Sequence, residues 1–302
     1  MIDHFDQQAV VSRQQALRSL SPAAIRHRLR TRRWRQIHRG VYATTTGALT
    51  LSQVRWAALL VAAPDPESET AFIAGRSALQ VHGLRGLRNR VIEVLVPDTR
   101  KVTSPPAWVV VHRTRHLPRP DRTWINELPC TSAERSLVDA AQWAVTEREA
   151  RLVIAMAFQQ GKVSTREVNE RLPRVANERR RNLIAETVAD ASGGAHSLGE
   201  LDFLQLSRSA GLPEPKLQYV RRDATGRRRY LDAYYEKYGV HVEIEGVQHS
   251  DVLQAWKDME RQNQLFIKGD RVLRFPSWLV RHRPYDVIAQ VRAALVASGW
   301  TP

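Results

Sequence analysis

Residues 7 to 64 contain no Asp or Glu. Over residues 1 to 45, Arg13, Arg18, Arg26, Arg28, Arg30, Arg32, Arg33, Arg35 and Arg39 stand against Asp3 and Asp6, a net charge of +7. Solvated faces normally mix the two signs. Like charges this dense repel one another unless an anion answers them. Such a segment folds only with its cations outward and a short apolar stripe inward. The whole chain carries the same bias, with a net charge of +15 over 302 residues. That favours polyanionic partners, nucleic acid first and an anionic membrane surface second.

The apolar pattern inside the basic segment reads as helix, turn, helix, hairpin. Ser12 is placed to cap a helix running to about Leu20, with Ala16, Leu17 and Leu20 as its stripe. Ser21 is a second N-cap, and Pro22 sits at the first helical position, where its missing N–H costs nothing. That helix is expected to continue to about Arg32, with Ile25 and Leu29 buried. Spacing then places Arg26, Arg30 and Arg33 on one face, and Arg28 belongs to the same basic set. Trp34, Ile37, Val41 and Tyr42 form a hairpin turned near His38-Arg39-Gly40, with Arg35, His38 and Arg39 on it. Two short helices followed by a basic hairpin is the layout of a winged helix-turn-helix, whose cations serve phosphates and base edges.

Residues 49 to 190 read as a mixed α/β domain. Helices are expected at Leu51–Ala63, Ala74–His82, near 146–160 and at 164–188. Buried strands are expected at Val91–Pro97 and Trp108–His112. Thr131-Ser-Ala-Glu134 is read as a capping box opening a helix to Trp143. Ala191-Ser-Gly-Gly-Ala195 marks a boundary. Beyond it, Ser197-Leu-Gly-Glu200 is read as a capping box opening a helix to about Ala210, strands fall at 217–222, 228–234, 240–246 and 271–275, and helices at 251–267 and 285–297. The expected organisation is therefore 1–48, 49–190 and 191–302. The longest apolar stretch, near Trp56 to Ala63, is far below the roughly 20 residues of a membrane span. A signal-peptide pattern is absent from the first residues, and the single Cys130 allows no internal disulfide. A cytoplasmic protein with no membrane partner is expected; the oligomeric state is left open.

Strand alternation gives the C-terminal region its chemistry. If the turn at Glu236–Gly239 pairs Tyr235 with Val240, Asp232 lies opposite Glu243, with Glu245 on the same face. A one-residue slip would separate them. Three carboxylates gathered this way need a cation, and hard oxygen ligands suit Mg²⁺ or Mn²⁺. Such a site can activate water against a phosphodiester. Without that register the acids belong to an ordinary wet hairpin face.

Two resemblances sharpen these readings. Ser12-Arg-Gln-Gln-Ala-Leu17, Ala24-Ile-Arg-His-Arg-Leu29 and Trp34-Arg-Gln-Ile-His-Arg-Gly-Val-Tyr-Ala43 resemble the N-terminal domain of the AbiEi antitoxins of type IV toxin–antitoxin systems. Ala78-Leu-Gln-Val-His-Gly83, Ile92-Glu-Val-Leu-Val-Pro97 and Leu128-Pro-Cys-Thr-Ser132 leading into Leu137-Val-Asp139 extend the likeness through about residue 145. It implies DNA binding, often at the protein's own promoter, and a nucleotidyltransferase-type toxin as partner.

Asp232, then Glu243-Ile-Glu245-Gly246-Val-Gln248-His249, then Asp258-Met-Glu-Arg261, then Val272-Leu-Arg274-Phe275 resembles the very-short-patch-repair (Vsr-like) branch of the PD-(D/E)xK endonucleases. Glu200 matches an acid on the preceding helix. The resemblance implies a restriction-endonuclease-like αβ core in an α+β multidomain chain. Asp232 and Glu243 would ligate Mg²⁺ or Mn²⁺, Glu245 would hold a bound water or a second ion, and Glu200 would complete the outer shell. Gln248 or His249 would orient water or phosphate, and Arg261 and Arg274 would contact phosphate. Glu245 stands where the family's lysine is usual, so the fold is implied more strongly than turnover. The two expected functions are a DNA-targeted endonuclease and a non-enzymatic antitoxin-type repressor with a silent nuclease fold.

Overall fold

The computed structural model describes residues 7–65, 70–87, 89–175, 178–192, 197–222, 228–245 and 271–302. The fold is mixed α/β and divides into two compact units, Met1–Val153 with Gln160–Ile184, and Ile154–Gln159 with Ala185–Pro302. No helix among the described residues is long and apolar enough to cross a membrane.

The first unit begins with β1 (Val10–Ser12), α1 (Arg13–Leu17), α2 (Pro22–Arg30), β2 (Arg35–His38) and β3 (Val41–Ala43), with the strands in the order β1-β3-β2. Local chemistry explains each start. Ser12 Oγ accepts from the Gln15 N–H at 3.1 Å, and the Gln15 side chain accepts from the Ser12 N–H at 2.9 Å, a complete capping box. Ser21 Oγ accepts from the Ala24 N–H at 3.1 Å, with Pro22 in the first turn. Val11, Ala16, Ile25 and Tyr42 form the small core, with Leu20, Leu29 and Trp34 against it. Gly40, at φ 76°, takes the left-handed turn between β2 and β3 that glycine adopts without penalty.

Both helices are shorter than the sequence suggests. α2 ends at Arg30, with Thr31 as its C-cap and Arg32 at φ 56°. Arg33 therefore lies past the helix, and the expected Arg26–Arg30–Arg33 face loses its third member. Trp34 causes the early stop. Its N–H donates to the Arg28 carbonyl at 3.1 Å, and its ring joins the small core.

The unit continues with α3 (Leu51–Ala62), β4 (Phe72–Ile73), α4 (Gly75–Val81), β5 (Ile92–Pro97), β6 (Val109–Thr114), β7 (Arg122–Ile125), β8 (Leu128–Thr131), α5 (Ala133–Trp143), the start of α6 (Glu147–Gln159), α7 (Thr165–Val175) and the start of α8 (Glu178–Ser192), the ends of α6 and α8 belonging to the second unit. Its five-stranded sheet runs β6-β5-β4-β8-β7. Val10 and Val41 share one core with α3 and this sheet, so the N-terminal strands and the larger sheet pack as one body.

Helix α5 is capped by Ser132, whose Oγ accepts from the Arg135 N–H at 3.3 Å. Thr131, expected in that role, closes β8 and shares a 2.7 Å hydrogen bond with Ser136. Within the helix expected over 164–188 the described residues form α7 and α8, and α8 runs on to Ser192. Arg135, 2% exposed, is held by Asp139 at 2.9 Å and Asp121 at 3.1 Å.

The second unit contains α9 (Leu198–Ser209), β9 (Lys216–Arg222), β10 (Arg228–Tyr235), β11 (Val240–Glu245), β12 (Arg271–Pro276), α10 (Ser277–His282) and α11 (Pro284–Val296). The sheet order is β12-β11-β10-β9, antiparallel except for the parallel pair β11–β12. Phe203, Val242, Phe275, Leu279 and Val291 are in its core. Gly239, at φ 59°, closes the β10–β11 turn.

Candidate functional site

Two clusters of like charge stand out, one in each unit. In the first, Arg26 and Arg30 are exposed on α2, Arg33 is exposed beyond it, Arg35 is exposed on β2 and Arg39 on the turn. His38 is half-buried beside them. Arg28 is also half-buried, its guanidinium 5.5 Å from the centre of the Trp34 ring, which lies 6.0 Å from that of Tyr42. Arg28 is thus partly committed to packing, a cation–π contact that fixes the end of the helix. Among the described residues, none of Arg26, Arg28, Arg30, Arg33, Arg35 and Arg39 forms an ion pair with a carboxylate. Arg18, outside this set, pairs with Asp65 at 3.3 Å.

In the second unit, β10 pairs with β11 through Tyr235↔Val240, Tyr234↔His241 and Ala233↔Val242. This register carries Asp232 toward Glu243, as the turn length requires. Asp232 Oδ2 accepts from the Ile244 N–H at 2.8 Å. Its carboxyl is pushed up to about 6, first by burial and then by the neighbouring Glu200, Glu243 and Glu245 carboxylates; the Ile244 bond acts against the rise. Glu200 is 8% exposed in the first turn of α9 and accepts from Gln218 Nε2 at 3.2 Å.

Gly199 sets how closely that helix approaches. A Cβ there would stand 2.9 Å from Ile244 Cγ2 and 3.1 Å from Ser277 Cβ. Arg274 pairs with Glu243 in the parallel register, with Nε 2.8 Å from the Glu243 carboxylate and 3.9 Å from that of Glu245. Arg274, which the resemblance puts at phosphate, has its guanidinium against these acids.

Two further members are not among the expected site residues, although alternation puts His241 on the face of Glu243 and Glu245. His241 is 4% exposed, with Nε2 3.9 Å from Glu243. Its place two residues before Glu243 on a strand was the available signal. Gln218 could not be inferred, because its contact depends on how β9 meets α9. Gln248, His249 and Arg261 lie outside the described residues.

The donor chemistry suits a hard cation, and three of the acids already have partners within the protein. Glu243 is engaged by Arg274, Asp232 by the Ile244 N–H and Glu200 by Gln218. Among the described residues no three of His, Cys, Asp and Glu gather into a group that could hold a metal ion. Arg274 meets the charge of Glu243 directly and lies near that of Glu245.

No family model matches the sequence, and no curated protein matches it. Among solved structures, the RV2827C protein from Mycobacterium tuberculosis is similar at 16% identity and a TM-score of 0.42, covering 63% of this chain and 76% of that one. A likeness of that size assigns no function.

Proposed function

We propose that this protein binds DNA, with α1, α2 and the β2–β3 hairpin acting as a winged helix-turn-helix. The observation that carries this reading is the exposed set Arg26, Arg30, Arg33, Arg35 and Arg39 without a carboxylate partner among the described residues. Arg26 and Arg30 on α2 face the major groove, and Arg35, His38 and Arg39 on the hairpin meet backbone or minor groove. The AbiEi resemblance extends the reading to a repressor that also engages a nucleotidyltransferase-type toxin.

The test is fluorescence anisotropy of a labelled duplex against KCl concentration. About four to five phosphate contacts give a log–log salt slope near −4, and each arginine removed flattens it by about 1. A flat salt response sinks the reading.

A second reading is a Vsr-like nuclease domain in the C-terminal unit, favoured by the β10–β11 register and by the raised Asp232 carboxyl. It requires Mg²⁺- or Mn²⁺-dependent nicking of supercoiled plasmid, lost in both Asp232→Ala and Glu243→Ala. Salt-sensitive binding without nicking leaves a repressor with a silent nuclease fold.

A further inference from the structure

A cavity of about 630 Å³ lies beneath the β2–β3 turn, between α1, the end of α3 and the loop after β5. Its floor is apolar, made by Leu17, Val41, Leu60, Val61 and Pro64. Val41 and Leu60 are core residues at 2% and 0% exposure, whereas Leu17 is left 40% exposed. The rim carries one sign of charge, from Arg13 and Arg39 with His38 beside them. Ser104 and Thr103 supply hydroxyls across the opening. No carboxylate lines the cavity among the described residues.

The rim is anchored by the backbone, since the Arg13 N–H donates to the Gly40 carbonyl at 2.7 Å. Neither Arg13 nor Arg39 forms an ion pair among the described residues.

An apolar floor under guanidinium groups defines the occupant's chemistry. The floor gains from an apolar body. The rim gains from a carboxylate, sulfonate or phosphate, which arginine meets with paired N–H donors. The volume suits a small molecule and is too small for a duplex or a partner helix. His38 and Arg39 also belong to the proposed DNA surface.

We propose that this cavity binds a small organic anion with an apolar body, and that its occupant competes with DNA for the hairpin. The competition, though not the binding itself, rests on the DNA reading above.

The test uses 1-anilinonaphthalene-8-sulfonate as the anionic probe and neutral N-phenyl-1-naphthylamine as its uncharged counterpart, with the full chain. The sulfonate is expected to bind saturably at one site, with the neutral probe about tenfold weaker. Leu17→Asp, which places a like charge on the floor, is expected to weaken the sulfonate about tenfold, and Leu17→Asn clearly less. If Leu17→Asp melts early by circular dichroism, Arg13→Gln replaces it, with an expected loss of about fivefold. Sulfonate should weaken duplex binding in proportion to its concentration over its own Kd, as a competitor does.

Absence of saturable binding, or equal binding of the two probes, overturns the anion site. Equal affinity of wild type and the folded charge variant overturns it as well. DNA binding untouched by saturating sulfonate overturns the competition. Sulfonate binding in a protein that binds no DNA removes the DNA reading and the competition with it, and leaves the anion site standing.

Discussion

The N-terminal arginines and the C-terminal carboxylates are both gatherings of like charge, answered in opposite ways. On α2 and the β2–β3 hairpin Arg26, Arg30, Arg35 and Arg39 are exposed to solvent, and among the described residues no acid meets them. In the second unit Arg274 crosses from the neighbouring strand to Glu243 and Glu245, and Asp232 takes a backbone N–H. Exposed charge is tolerated because water and salt screen it. Partly buried charge is not, so it recruits a partner or shifts its proton equilibrium. Asp232 does the second, and Glu243 the first. A surface of the first kind is open to an external partner, whereas a cluster of the second kind is already partly satisfied.

The sharpest way to set the scale of this contrast is a third cation, Arg135, which is fully buried and paired with Asp121 and Asp139. Arg135→Ala strands two buried carboxylates, although Arg171 lies 3.3 Å from Asp121 and softens the loss. The expected cost is about 3–5 kcal/mol, the range for breaking a buried pair from one side. It is read as a shift in the urea midpoint with DNA affinity per folded molecule unchanged.

The N-terminal side is broken by the triple change Arg26→Ala, Arg30→Ala and Arg35→Ala. Duplex affinity is expected to fall roughly 100-fold at low salt and the salt slope to flatten by about 3, with little change in stability. A large stability loss with an unchanged slope would mean that these arginines serve the fold.

The C-terminal side is probed more gently. Gly199→Ala pushes a methyl to 2.9 Å from Ile244 Cγ2, so α9 must lift off β11. Overpacking of this kind costs about 1–3 kcal/mol, measured as a lowered melting temperature. Serine should cost at least as much.

The smallest effect has an opposite sign. The folded-state carboxyl of Asp232 is raised to about 6, so the folded chain holds that proton more tightly than the unfolded chain does. Stability then falls as pH rises from about 4 to 6. Asp232→Asn keeps an acceptor for the Ile244 N–H and removes the charge. It should stabilise the protein above pH 6 by about 1 kcal/mol after allowing for solvent screening, and by almost nothing near pH 4. A variant less stable than wild type at pH 8 would show that the carboxylate is compensated more completely than the geometry indicates.

Much of the local structure was legible because its causes lie within a few residues. Ser12, Ser21 and Ser197 cap helices where the pattern put them, each through a side chain reaching three residues forward. The β10–β11 pairing followed from a short turn and a glycine suited to a left-handed backbone. Other elements left little trace. β4 is two residues long, too short to show alternation, and is held by pairing to β5 and β8. β7 and β8 precede a helix whose cap dominates the local pattern, so Thr131 was drawn into the cap rather than the strand. Arg33 was misplaced because the helical period ran on past the point where Trp34 turns back to Arg28.

By itself, the sequence determined the sign and density of charge along the chain, the starts of α1, α2 and α9 and the faces of β10 and β11. Those depend on covalent order, on side chains that reach one turn and on the period of an extended backbone. Tertiary structure alone decided which charges meet. Arg274 reaches Glu243 only because β12 lies parallel to β11, and Gln218 reaches Glu200 only because β9 and α9 come together. Such contacts close long loops, whose entropic cost is repaid by core burial spread over many residues. No local pattern carries that information, which is why the acids were legible and their internal counter-ion was not.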